Sequence, residues 1–451
     1  MRKGLLLVLA GLMAFFGMTA QSMASSRMES MGADYRQFDD QDQIWLYPNK
    51  ALLYKDTIDF RLNSTTDGFS QLFGSTGYDA MEWGGVLKDA GDIGVIGAYF
   101  NRPSMLANNW FQSEQDYWGQ YSTRDWINST MYGQPFTPTG GTLNWTNNIY
   151  NNLSANINPE NKVDIFWADS FSGIDLGAVV NYGDSQTYGS NVNEYAQDLG
   201  INIGAGFGAV GPFNSLNAHL GYQMGAYNSN NNVKDNGIST LPFGLLGDIN
   251  LDANNTLRVF LDGQMDQFAL QTVNLATNYT EKDAQSHFLL GAAINKKISG
   301  GKGLASLGLF ADYGDWEYTS TQVAGSPKYD YAYWDLIANF SVETPVSSWL
   351  TWRAGLTRQF FSRNWYNNGG NAESYGDNWT SGNTSHSGYA MFNTGFSINV
   401  ENWTLDAYLS SAALENWLGD PSAGFVINDY GQNGNNNPPL EIIGLDAKVK
   451  I

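Results

Sequence analysis

Hydrophobic and polar residues alternate with a period of two along most of this chain. Between Phe396 and Leu409, Phe396, Ile398 and Val400 alternate with Ser397 and Asn399, and Trp403, Leu405, Ala407 and Leu409 alternate with Thr404, Asp406 and Tyr408. A two-residue turn at Glu401-Asn402 pairs Val400 with Trp403 and brings both apolar rows to one face. The same pattern recurs upstream. Leu257, Val259, Leu261, Gly263 and Met265 stand against Arg258, Phe260, Asp262, Gln264 and Asp266. Ile201, Ile203, Ala205 and Phe207 stand against Asn202, Gly204 and Gly206. Leu216, Ala218, Leu220, Tyr222 and Met224 oppose Asn217, His219, Gly221 and Gln223, and Trp334, Leu336, Ala338, Phe340 and Val342 oppose Asp335, Ile337, Asn339 and Ser341. Period two sustained over about ten residues predicts strands with one apolar and one polar face.

The connections fall into two classes that take turns. Short ones lie near 89–92, 169–173, 208–215, 252–256, 299–303, 343–349 and 401–402; long ones, rich in Asn, Gly, Ser, Asp and aromatics, lie between them, the longest from Pro103 to about Glu160. Counting segments gives about 16 strands, or 14 if one hairpin is miscounted. This predicts an all-β fold, a transmembrane antiparallel up-and-down β-barrel with short turns and both termini in the periplasm and long loops outside. In lipid every backbone N–H and C=O must be bonded internally, and a closed sheet does so without a free edge. A secreted β-sandwich, β-helix or propeller shows similar alternation. Strands near ten residues rather than about 5–6, the alternating loop classes, and Trp334, Trp352, Trp403 and Tyr313 at the ends of apolar rows favour the membrane.

Both ends of the chain add to this. Ile443, Leu445, Ala447, Val449 and Ile451 alternate with Gly444, Asp446, Lys448 and Lys450, a pattern that resembles the closing strand of Gram-negative outer-membrane barrels. That family usually ends in Phe or Trp, and here the last residue is Ile451. At the other end, Arg2-Lys3, the apolar run Gly4 to Phe16 and Ser22-Met23-Ala24 read as a signal peptide over 1–24, cleaved after Ala24. The apolar run is short for a span of about 20 residues. Residues 25–53 follow, with an acidic cluster (Asp39, Asp40, Asp42) and the patch Ile44, Trp45, Leu46, Tyr47. Here Arg27, Met31-Gly32, Asp39, Asp40, Pro48 and Ala51 resemble the start of FadL/PorV-type barrels, although the turn reads Tyr47-Pro48-Asn49-Lys50-Ala51 instead of Asn-Pro-Ala. The resemblance, confined to this short stretch, implies an N-terminal periplasmic segment that folds as a plug; the alternative is a frayed terminus. The barrel then runs from 54 to 451.

Charge and composition narrow the partners. The net charge of -21 leaves no basic footprint for nucleic acid. An aromatic content of 14% argues against an acidic disordered chain. Past the leader there is no long apolar run for a helical membrane protein. With no cysteine, there is no lipid anchor on a mature N-terminal Cys, no disulfide and no thiolate metal site. If the apolar rows face lipid, the opposite rows line a lumen: Asp59, Arg61, Glu82, Asp164, Asp175, Asp248, Arg258, Asp262, Asp266, Asp312, Asp335, Arg353 and Asp406. Acids dominate this set. One reading is a water-filled, cation-favouring conduit in which Arg258 and Arg353 shape a transverse field. The other is that the charges pair with one another inside a plugged interior. In the longest loop, Trp110, Trp118 and Trp126 are candidates for a constriction or ligand contact, or for a small core of the loop itself.

Catalytic signatures are lacking. His219, His287 and His386 lie in no recognisable motif, Gly183–Ser185 has no later Asp-x-x-His block, and Gly204–Gly208 lies within a strand with no helix after it. The glycines there are expected to relieve crowding on a curved wall. The protein is expected not to be an enzyme. It is expected to need no cofactor, with Asn/Asp/Gly loops as the one place for bound Ca²⁺. Three functions fit the sequence. The first is a porin-like channel of the Gram-negative outer membrane for small polar, cationic or neutral solutes. The second is a plugged FadL-like transporter of hydrophobic compounds. The third is a structural or secretion-associated barrel that binds proteins through its loops. Expected partners are outer-membrane lipid and lipopolysaccharide, small solutes and the barrel-assembly machinery. Substrate and oligomeric state stay open.

Overall fold

The hairpin expected at Glu401-Asn402 is present: Val400 pairs with Trp403 and Phe396 with Ala407, and Glu401 adopts the positive φ (57°) that a tight two-residue turn needs. It belongs to one closed sheet in a computed structural model, which describes residues 26–34, 36–65, 83–100, 161–188, 193–229, 233–272, 280–320, 328–368, 371–379, 390–409 and 441–451. The expected signal peptide, Glu82 and the aromatic loop with Trp110, Trp118 and Trp126 lie outside these residues.

The wall begins with β1 (Thr57–Thr65), β2 (Trp83–Asp89), β3 (Val95–Phe100) and β4 (Asn161–Phe171). Next come β5 (Ile174–Tyr188), β6 (Asn193–Phe207), β7 (Ser215–Ser229), β8 (Val233–Asn250) and β9 (Asn255–Thr272). Then follow β10 (Thr280–Ile298), β11 (Gly303–Ser320), β12 (Lys328–Pro345) and β13 (Leu350–Asn368). The circuit ends with β14 (Asn371–Trp379), β15 (Ala390–Val400), β16 (Trp403–Leu409) and β17 (Glu441–Lys450). Each pairs antiparallel with its neighbour, and β1 pairs with β17 (Ile58 with Val449, Leu62 with Leu445), so no edge is left. β14 and β15 share one place: β13 pairs with β14 over Phe361–Asn368 and with β15 over Leu350–Arg358. The barrel therefore has 16 strand positions.

Alternation sets the faces as the sequence predicts. Leu220, Ile203, Phe340 and Leu261 are exposed on the outside, while His219, Asn202, Asn339 and Asp262 are buried inside. Aromatic residues mark two levels of the exterior. On β13 the exposed Trp352 lies opposite Thr344 of β12, and on β12 the exposed Trp334 lies opposite Arg363. The ten steps between Thr344 and Trp334 match the 9–11 residues a tilted strand needs to cross hydrocarbon. Such an apolar belt between aromatic girdles on a closed, even-numbered barrel makes this a Gram-negative outer-membrane protein.

Strand length departs from the expectation of about ten residues. β8 to β13 run to 18 or 19 residues. Past the girdle the outward row turns polar, as where Tyr313 gives way to exposed Asp315, but the ladder goes on: Asp315 still pairs with Ala332. The apolar pattern reports the bilayer, and hydrogen bonding continues beyond it.

Candidate functional site: the plugged lumen

The described residues 26–34 and 36–54 lie inside the barrel at the end that carries the short turns. They form a short helix α1 (Ser26–Ser30) and two 3₁₀ turns, Gln41–Trp45 and Pro48–Leu53. Asp40 caps the first turn by accepting from the Asp42 N–H (3.1 Å). Pro48 opens the second, where its missing N–H costs no bond. Segments this short do not stay helical alone. Burial against the wall holds them.

Three apolar anchors do most of that. Trp45 sits edge-on to Trp83, Tyr99 and Phe166, with ring centroids 5.5, 5.0 and 5.5 Å away. Its Nε1 donates to Asp164 (2.8 Å). Leu46 and Tyr47 pack on inward-facing Leu246, Phe260, Leu289, Phe310 and Ile337. Met28, Met31, Ala33 and Phe38 form a third cluster with Leu304 against it. The plug's irregular backbone is satisfied by wall side chains, since a buried carbonyl must find a donor. Asn202 Nδ2 donates to the carbonyls of Trp45 and Leu46 (2.8 Å each), Thr357 Oγ1 to that of Gly32 (2.6 Å) and Asn295 Nδ2 to that of Gln37 (2.7 Å). Several wall glycines leave room for the plug: a methyl on Gly355 would overlap the Met31 carbonyl, one on Gly177 the backbone of Pro48 and Asn49, and one on Gly204 would press into Pro48 and Asn49. Gly204 therefore makes room for the plug, which corrects the expectation that it relieves crowding within the wall.

The charged residues gather in three groups. Deepest, Asp262 accepts from Arg36 Nε, from Tyr47 Oη (2.9 Å) and contacts His219 Nε2 (3.0 Å); Arg36 also pairs with Asp34 (2.6 Å). Nearer the short-turn mouth, Arg258 holds Asp248 with two bonds (2.7 and 2.8 Å) and reaches Asp39 (2.9 Å), which also accepts from Lys50 (2.7 Å). Across the lumen, Arg353 bridges Glu343 and Asp406 (2.6 Å each), and Arg27 grips Glu343 (2.9 and 3.2 Å) and Asp40 (3.3 Å). Burial alone would raise the Asp39 carboxyl, but Arg258 and Lys50 hold it well below the usual carboxylate range. Burial pulls the Lys50 ammonium down despite Asp39, and pushes the Asp34 carboxyl up despite Arg36.

The sequence-predicted residues thus divide. Asp164, Asp248, Arg258, Asp262 and Arg353 touch the plug or its ion-pair partners, and Asp406 joins them through Arg353. Beyond the plug, toward the long loops, Asp266 accepts from Gln264 (2.8 and 2.9 Å) and Asp312 Oδ1 lies 2.5 Å from His287 Nε2. Asp335 stands opposite Asp312, Asp59 opposite Lys448, Asp175 opposite Gly206, and Arg61 takes its place on β1 opposite Asp446. At the plug level the acid-rich, water-filled conduit is not what the structure holds: acids there are met by Arg27, Arg36 and Lys50, bases supplied by the plug itself. Sequence reasoning counted only charges on the strands, and so passed over Asn202, His219 and Asn339, which the inward rows already contained. Among the described residues no group of three or more His, Asp or Glu side chains is placed to hold a metal ion.

Comparison with known proteins gives distant likenesses only. No family model matches the chain, and no curated protein does. Solved structures that align include the CymD monoaromatic hydrocarbon channel (8% identity, TM-score 0.37, 96% of this chain and 98% of that one). A FadL homologue of Pseudomonas aeruginosa aligns at 9% identity and TM-score 0.36 (96% and 99%). The copper transporter OprC reaches TM-score 0.40 at 9% identity, over 55% of this chain but only 42% of OprC, less than half its length.

Proposed function

We infer that the protein is a gated outer-membrane transporter for small solutes, closed in this structure by residues 26–54. The observation that carries this reading is the way the lumen is filled. The filling is a short, irregular segment whose own apolar cluster is only Met28, Met31, Ala33 and Phe38, joined to β1 through exposed Lys55 and half-buried Asp56, the latter at a positive φ of 59°. Such a segment can leave its seat as a unit without unpairing a single wall strand. The short-turn end, which carries both ends of the wall, is assigned to the periplasm.

Beyond the plug the inner wall carries Asp198, Gln223, Gln264, Asp266, His287 and Asp312, all buried. This lining suits polar solutes that are neutral or cationic. The test is swelling of proteoliposomes in glucose, glucosamine or glucuronate, with the wild type and with the anchor variant Trp45→Ala/Tyr47→Ala. The wild type should swell slowly. The variant should swell faster, with glucosamine at least as fast as glucose and glucuronate slowest. A variant whose plug has left by protease mapping but that swells no faster would refute the gate.

A hydrophobic cargo is the second reading. Phe260, Leu289, Phe310 and Ile337 form an inward apolar patch that Leu46 and Tyr47 occupy here. If that reading holds, the anchor variant should bind a fluorescent aliphatic probe that the wild type does not.

A further inference from the structure

At the short-turn mouth the plug and the wall leave a half-open hollow of about 500 Å³, within the size range of small-molecule sites. Arg27 and Asp39 reach it from the plug, and Asp248, Arg258, Lys302 and Glu343 from β8, β9, the β10–β11 turn and β12. Cations and carboxylates are equal in number, so a ligand with net charge of either sign meets as much repulsion as attraction.

The bonding capacity that remains is specific. Arg258 is almost fully buried and uses Nε and Nη2 on Asp248 and Asp39, yet its Nη1 makes no hydrogen bond among the described residues. Lys302 is exposed on its turn and forms no ion pair with the described residues. Asp39 takes both of its bonds, from Lys50 and Arg258, on Oδ1, and the side chain is 53% exposed. Its Oδ2 is thus open to a further donor. Arg258, Lys302 and Asp39 line one hollow, with the unpartnered Arg258 Nη1 buried in its wall.

We propose that this hollow binds a small zwitterion of peptide type, no larger than about a tripeptide by the site volume. Arg258 and Lys302 take its carboxylate and Asp39 its ammonium group. Such groups gain most from charge-assisted bonds in a partly desolvated site. Because the hollow is lined by plug and wall together, a bound peptide also fastens the plug. At a hundred times its dissociation constant it raises the seated-to-released ratio about a hundredfold. That consequence rests on the gate reading; the binding does not.

Calorimetry on the full-length barrel in detergent at low salt tests it, with triglycine, N-acetyl-triglycine and triglycine amide as probes. Triglycine should bind saturably and each blocked form at least tenfold more weakly. Arg258→Gln should no longer distinguish triglycine from its amide, and Asp39→Asn should no longer distinguish it from the acetylated form. Asn250→Trp, an exposed position lining the hollow, fills the space without touching those charges and should abolish binding in a barrel that still folds. No saturable heat with triglycine, equal binding of all three probes, or unchanged binding in Asn250→Trp would overturn the site. Saturable binding that leaves tryptic protection of the plug unchanged would overturn the fastening and leave the site standing.

Discussion

Replacing Asp262 by Asn is the sharpest single perturbation of the plug. The carboxylate is 1% exposed and accepts from Arg36, from Tyr47 and, depending on tautomer, from His219. Breaking a buried ion pair from one side costs about 3–5 kcal/mol, because the remaining charge stays buried. Asp34 still faces Arg36 at 2.6 Å, so the lower end, about 3 kcal/mol, applies here. At about 1.4 kcal/mol per factor of ten, the released population should rise roughly a hundredfold. Trypsin reads this out, since Arg27, Arg36 and Lys50 are its plug sites, and in the seated plug Arg36 and Lys50 are buried and Arg27 is half-buried. When release is fast compared with cleavage, the cleavage rate follows the released population. Tyr47→Phe removes one bond to the same carboxylate and should give a smaller gain, about 1.5–3 kcal/mol. Digestion of Asp262→Asn at the wild-type rate, with the barrel intact on heat-shift gels, would refute the role given to this cluster.

Four further outcomes follow from the same geometry. Leu261→Arg places a charge on the lipid face at a cost of about 2–4 kcal/mol and should lower the yield of heat-modifiable barrel, while Asp262→Asn should not. Gly355→Val should leave assembly intact but expose the plug to trypsin, because its side chain takes the space of the Met31 carbonyl. Trp45→Ala empties the aromatic box, costs the plug about 3–5 kcal/mol, and should be seen as loss of protection without loss of barrel. Plug protection should hold from neutral pH down to about 5 and fall only below that, where paired carboxylates lose their charge. The sign follows from two carboxyls: Asp39, held low, keeps its partners well into acid, and Asp34, pushed up, takes its proton first at no cost to the seated form.

What was legible in the sequence follows from what alternation can report. It set the register of Val400 with Trp403, the outward Leu261 and inward Asp262, and the number of wall positions, because lipid on one side leaves no freedom of face. It could not report strand ends beyond the girdle, since Asp315 outside and Gly314 inside carry no contrast that lipid imposes. The plug was visible as a resemblance and as the apolar patch Ile44–Tyr47. Its lodging was not, because the receiving residues, Gly204, Asn202, Asn339 and Gly355, come from β6, β12 and β13 and look like ordinary inward positions. The charge count failed for a similar reason. Arg27, Arg36 and Lys50 lie before the first strand, and only the fold brings them onto Glu343, Asp262 and Asp39.

The central claim is that residues 26–54 must leave their seat for a solute to pass. Gln37 Nε2 and Ser306 Oγ lie 2.7 Å apart across the plug–wall seam, and the chain has no cysteine of its own. Gln37→Cys/Ser306→Cys, joined by a short reducible bis-thiol linker, ties the plug in place in proteoliposomes whose glucosamine-driven swelling is then followed. Swelling that stops in the tied form and returns on reduction is the predicted result; equal swelling before and after reduction would contradict it.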